Sequence, residues 1–266
     1  MSASLASQIL TVASYEVRKY FRGRRLPGML ILLALIVTLL LALPPALGTP
    51  YATDANRFVS TFASFTALLV VLSAVLFAAD ALVSEHEKRT GYFLFPQPVR
   101  REVLVAGKLL ASLLTAGLVI SLYYAAAAVA SLVITGHVTW EAGLSYLYAL
   151  AYMVAVVGIA YLISSSLRTT VAATVLTFFL FTLIFNIVGA VLNAAKVSPW
   201  FIPSSAAGII GDVLAPPVTF GPPGGGGGFL TPFIPDVATS LAVFGVCFLV
   251  AAALAVFLFR RRELSS

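Results

Sequence analysis

Charge is what this sequence has least of: Asp, Glu, Lys and Arg make up 10% of its 266 residues, against about a quarter in soluble domains. With 61% of the residues hydrophobic, a water-soluble globule is excluded. Cysteine occurs once, as Cys247 inside an apolar run, so no disulfide framework exists. The two histidines, His86 and His137, fall in loops on opposite sides, and no HExxH motif or paired intramembrane acid accompanies them. Hydrolytic chemistry within the spans therefore has no candidate residues, and the chain reads as a non-enzyme. With 3 Met, one Cys and two His, a soft-metal path is also poorly supplied. The glycine run 224–228 is not a phosphate-binding loop, because neither Lys nor Ser/Thr follows it.

What the sequence does have is long apolar runs. About 20 apolar residues cross roughly 30 Å of hydrocarbon, and six runs qualify: 28–47, 62–83, 109–134, 144–163, 171–192 and 237–259. Only the second contains a charge, Asp80. The spans and short loops consume nearly the whole length, leaving no room for a folded nucleotide-binding domain. The 27 residues before the first run, and its full spanning length, exceed what a cleaved signal peptide needs.

Charge placement sets the orientation. With the N-terminus inside, the inner segments hold Arg18, Lys19, Arg22, Arg24, Arg25, Lys88, Arg89, Arg100, Arg101, Lys108, Arg168 and Arg260 to Arg262. Only Arg57 and Lys196 fall outside, together with Asp54, Glu141, Asp212 and Asp236. The lysine and arginine bias thus predicts both ends in the cytoplasm of a multi-pass plasma-membrane protein. The net charge of +6 belongs to these flanks and to anionic lipid, not to nucleic acid.

Three segments lie outside the spans. Residues 5–22 place Leu5, Ile9, Val12, Ala13, Glu16 and Tyr20 at helical spacing, opposite polar residues, and end in cations. This predicts an amphipathic helix in the inner interface, broken by Gly23 and Pro27 before the first span. The inner loop 84–108 mixes charges with four consecutive apolar residues, Tyr92 to Phe95, a composition that suits a docking surface better than a solvated loop. Pro96 and Pro98 end any helix there, and 99–102 restarts one that runs into the third span. The outer segment 193–236 is rich in proline and glycine, with a short amphipathic piece at 204–215 too small to span.

The order of these features resembles the permease subunits of type 2 ABC exporters, which share their architecture with G-type ABC transporters. Residues 13–27, ASYEVRKYFRGRRLP, look like the family's elbow helix. The loop between the second and third spans carries Glu87, Gly91, Pro98 with Arg100 and Arg101, and Gly107-Lys108, as the family's does. The strongly aromatic FLFPQP at 93–98 departs from the family pattern. The resemblance implies an all-α membrane fold of six spans, N-in and C-in, moving a substrate out of the cytoplasm. It also implies a separate ATPase, in two copies, docked on loop 84–108 and binding ATP and Mg, with a second permease copy or a related permease alongside. No cofactor or metal is assigned to this chain. On that reading Glu87, Gly91, Tyr92, Phe93, Arg100 and Arg101 form the ATPase-coupling surface.

Other candidates come from the residues alone. Asp80 is expected to form a structural ion pair with a basic residue such as Lys108 or Arg89. Asn186 and Asn193, seven apart on one face, line a cavity or bond a neighbouring helix. Tyr123, Tyr124, Tyr146, Tyr148, Tyr152 and Tyr161 suit interface belts and packing better than a ligand box. The apolar spans favour a hydrophobic or amphipathic substrate. A secondary, ion-coupled carrier is the alternative function, weakened by the lack of an internal repeat.

Overall fold

A computed structural model of the chain describes residues 4–83, 101–215 and 235–262. Among the described residues the secondary structure is helical, without strands. Helix α1 covers Leu5–Arg22, α2 Arg25–Ala46, α3 Ala55–Phe77, α4 Arg101–Thr135 and α5 Trp140–Ser166. The next rod joins α6 (Thr170–Phe179), a π-helical turn (Leu180–Ile184) and α7 (Phe185–Ala194). Two short helices, α8 (Pro203–Ala206) and α9 (Ile209–Asp212), precede α10 (Val237–Arg262). With α6 to α7 counted as one, six described helices are long and apolar enough to cross a bilayer. This is a multi-pass, all-α membrane protein, with the six spans that hydropathy predicts.

Span boundaries differ from the hydropathy runs where polar side chains do structural work. The second span begins at Ala55, seven residues before its apolar run, because the Asp54 carboxylate accepts the Asn56 N–H and caps the helix. It ends at Phe77, and residues 78–82 turn instead of continuing to Val83. The third span starts as α4 at Arg101, and its 35 residues make a rod of about 52 Å, well beyond the hydrocarbon thickness.

Three spans form the centre. Helices α3, α4 and α5 each bury half or more of their apolar window, whereas α2, α6 to α7 and α10 bury under a quarter. Their outward surfaces stay apolar, as lipid or another membrane subunit requires. Helix α10 runs parallel to α5: Tyr152 meets Phe244 with ring centroids 5.5 Å apart, and further along Gly158 receives Phe248. A Cβ on Gly158 would stand 2.9 Å from the Phe248 ring and 3.2 Å from its Cα, so only glycine allows this approach.

Helix α1 packs along the start of α4. Ala13 and Tyr20, from the apolar stripe, are buried, and the stripe from Ile9 to Tyr20 faces protein where the sequence suggested lipid, while Leu5 at its start stays exposed. The reason is Gly107: an added Cβ would lie 2.7 Å from Val12 Cβ and 3.0 Å from the Ile9 carbonyl, so the two backbones nearly touch. Leu10 and Phe21, on the adjacent edge of α1, remain exposed.

Candidate functional site

The chain leaves α3 through residues 78–83, the root of loop 84–100. A helix that stops inside a membrane protein exposes carbonyls that water cannot reach, and each must find a donor. Here they do. Phe77 O accepts from both Tyr20 OH at 2.8 Å and Ser112 Oγ at 2.6 Å. Leu76 O accepts from Arg25 Nη1 at 3.3 Å, and Ala81 O from Lys108 Nζ at 3.1 Å. On the far side of the turn, the N–H groups of Leu82 and Val83 donate to Ser164 Oγ at 3.1 and 3.2 Å. Donors and acceptors from α1, the foot of α2, α4 and the end of α5 thus converge on five residues, Leu76, Phe77, Ala81, Leu82 and Val83.

Five charges sit in the same cluster, Lys108 and Asp80 the most deeply buried of them. Lys108, 3% exposed, pairs with Glu16 at 3.1 Å, and Glu16 also holds Lys19 at 3.1 Å. Asp80, 4% exposed, pairs with Arg25. Buried charges of this kind cost several kcal/mol of desolvation each unless they are paired and hydrogen-bonded, which explains why each ion has an opposite partner. Burial also raises the Tyr20 phenol above its ordinary pKa, keeping it a neutral donor to Phe77 O.

Asp80 and Lys108, expected as a pair, therefore sit in one cluster but hold different partners. Arg25 reaches Asp80 from the foot of α2, while Glu16, carried in on α1, takes Lys108. Arg89, the other expected partner, lies outside the described residues, as do Glu87, Gly91, Tyr92, Phe93 and Arg100 of the expected coupling surface. Arg101 opens α4; its side chain also lies outside the description. What the sequence reading missed is Glu16. An acid inside an otherwise apolar stripe was the available signal, since such a residue needs a buried cation on the surface it packs against.

At the opposite end of the bundle a second polar chain crosses three spans. Thr66 Oγ1 reaches Tyr124 OH at 3.4 Å, Tyr124 OH meets Ser145 Oγ at 2.9 Å, and Ser145 Oγ donates to Ile210 O of α9 at 2.7 Å. Tyr123 OH donates to Phe62 O at 2.8 Å nearby. These tyrosines and the fully buried Tyr152 and Tyr161 pack inside the bundle and do not ring its interfaces. Ser145→Ala leaves the Ile210 carbonyl and the Tyr124 hydroxyl short of a partner. It is expected to lower stability by about 1–2 kcal/mol, measured as a fall in thermal denaturation midpoint in detergent, and Ser145→Thr should recover part of that loss.

Beside this chain a half-open apolar cavity of about 370 Å³ lies between α4 and α5, lined by Val59, Ser121, Tyr124, Ala128, Ala142 and Tyr146 among others. Ser121 Oγ and Tyr146 OH bond to each other at 2.8 Å, so the wall offers few free polar groups. Among the described residues Asn186 bonds its own helix and not a neighbour. Its amide donates to Phe181 O at 2.9 Å and Thr182 O at 3.2 Å, carbonyls that the π-helical turn frees from the regular ladder. Asn193 is half-buried, about two turns along the same face of α7.

Comparison with known proteins bears on the whole chain. No curated protein matches it. The family described as ABC-2 family transporter protein matches residues 10–264, a stretch that takes in most of α1, all six spans and both polar clusters. The chain belongs to the ABC-2 family of transporter membrane proteins.

Proposed function

We propose that this chain is the permease of an ATP-driven exporter in the plasma membrane. It carries a hydrophobic or amphipathic substrate outward, powered by a separate ATPase that docks on loop 84–108 from the cytoplasmic side. Two permeases and two ATPases make the working assembly, and the chain itself contributes no nucleotide site. Membership of the ABC-2 family supports the permease role, and among the described residues the six spans leave no folded domain to hydrolyse ATP. The observation that carries the coupling role is the clamp at the loop's root. Hydrogen bonds and ion pairs tie residues 76–83 to α1, α2, α4 and α5, so a push on the loop would be delivered to four helices at once. The 370 Å³ cavity falls within the usual range for small-molecule sites, about 300–1,000 Å³, and its apolar lining supports the hydrophobic substrate class.

The test is purification of the tagged full chain from its own membranes under mild detergent. An ATPase carrying a phosphate-binding loop should co-purify and hydrolyse ATP. The combined Tyr92→Ala, Phe93→Ala, Arg101→Ala variant should reach the membrane yet lose that subunit. Retention of the ATPase by the variant would move the docking site elsewhere, and transport that follows an ion gradient without ATP would replace the exporter reading.

A further inference from the structure

The foot of the first span carries a second, differently charged surface. Arg25, Lys19 and Lys108 each face a carboxylate, but Arg18, Arg22 and Arg24 have none within ion-pair distance among the described residues. All three side chains are exposed. Arg18 and Arg22 are four apart on α1 and share a face, beside the exposed, apolar Phe21 and Leu10. After the bend at Gly23, Arg24 already has near-helical dihedrals, φ −78° and ψ −3°. It therefore stands in register with α2 above it.

That register has a consequence. At 100° per residue, Ile31 and Leu35 lie within about 20° of the line through Arg24. Both are exposed, Ile31 at 70% and Leu35 at 55%. Between them and Arg24 sits Gly28, exposed and with nothing within 4 Å of where a Cβ would be. The surface thus reads, from the foot upward, as three unneutralised guanidiniums, a notch and an apolar ridge. The N-terminus of α2 has no side-chain cap, so its first amide N–H groups add positive potential at the same corner.

We propose that this corner binds an anionic phospholipid from the leaflet that α1 borders. The phosphate would lie among Arg18, Arg22 and Arg24, the glycerol backbone at the Gly28 notch, and an acyl chain along Ile31 and Leu35. Plain solvation of basic flanks accounts for arginines near a membrane. It accounts neither for their being the unpaired ones in a region where every other described cation has a carboxylate, nor for the open notch and ridge in line above Arg24. The site goes beyond the exporter function and does not depend on it.

A brominated-lipid experiment on the full chain in vesicles tests this. With Trp140→Phe and Trp200→Phe, Ile31→Trp becomes the only tryptophan and reports the lipid beside the ridge. Dibrominated phosphatidylglycerol is compared with dibrominated phosphatidylcholine in a phosphatidylcholine host. Each cation at an anionic surface favours binding by roughly five-fold before screening, so a net preference on the order of ten-fold for the anionic lipid is expected after salt screening. Arg18→Gln, Arg22→Gln and Arg24→Gln together should bring it within about two-fold of unity. Salt at about 0.5 M should erode it in the parent protein, a check that needs no folded variant. Arg168→Gln, removing an exposed arginine of the α5–α6 hairpin, should leave it unchanged. A parent ratio near one, persistence in the triple variant, or equal loss in Arg168→Gln would each overturn the proposal.

Discussion

Lys108→Ala is expected to destabilise the protein by about 3–5 kcal/mol, the usual cost of removing one member of a buried ion pair. The side chain is 3% exposed and satisfies both Glu16 and the Ala81 carbonyl. Its loss leaves Glu16, itself 12% exposed, with Lys19 alone, and leaves Ala81 O without the Lys108 donor. Thermal denaturation in detergent reads the loss directly. A cycle with Glu16→Ala separates the ion pair from the packing: a coupling between about 0.5 and 3 kcal/mol is expected for groups in contact, and strict additivity would refute the pairing. Replacing both ions by apolar residues of similar size, Glu16→Leu with Lys108→Met, should recover much of the stability, because the desolvation costs vanish together. If the pair serves coupling, that double variant will be stable yet poorly stimulated by ATP.

Gly107→Val should have an effect of comparable size by a different route. A Cβ there already falls at 2.7 Å from Val12 Cβ and Cγ1, and valine adds two more methyl groups on the same side. Overpacking of this kind costs about 1–3 kcal/mol, and α1 can relieve it only by lifting from α4, which would take Tyr20 and Glu16 out of the clamp. In a Cys247→Ser background, a maleimide should label Ala13→Cys slowly, since Ala13 is 3% exposed, and much faster once Gly107→Val is added. Unchanged labelling would mean that the helices accommodate the valine without separating. Val12→Ala should relieve only part of the clash, because Val12 Cβ is itself one of the colliding atoms.

The apolar runs and the lysine and arginine placement made the span count legible, because bilayer thickness and hydration energy act on composition alone. The stripe at Leu5 to Tyr20 likewise announced a helix, but not what it faces. An apolar face suits lipid and protein equally, and the deciding features, Gly107 with Lys108 just beyond it, lie about a hundred residues away in sequence. Asp80 shows the same limit. Its need for a cation was evident from its burial in an apolar run, while the choice of Arg25 over Lys108 follows from α3 stopping at Phe77, and hydropathy has no means of seeing a stop inside a continuously apolar stretch. The hydroxyl chain from Thr66 to Ile210 was illegible for a further reason: serine, threonine and tyrosine are common in spans, and only the crossing of α3, α4 and α5 makes partners of these four.

Helix α4 runs unbroken from the clamped loop root to the region of Tyr123 and Tyr124, with no proline or glycine pair along it to act as a joint. On the proposed coupling role it would act as a crowbar: a tilt of about 10° at the foot would sweep the tip of a rod of about 52 Å through about 9 Å. A push on one end would then pry at the other, and a disturbance at either cluster would be felt at both.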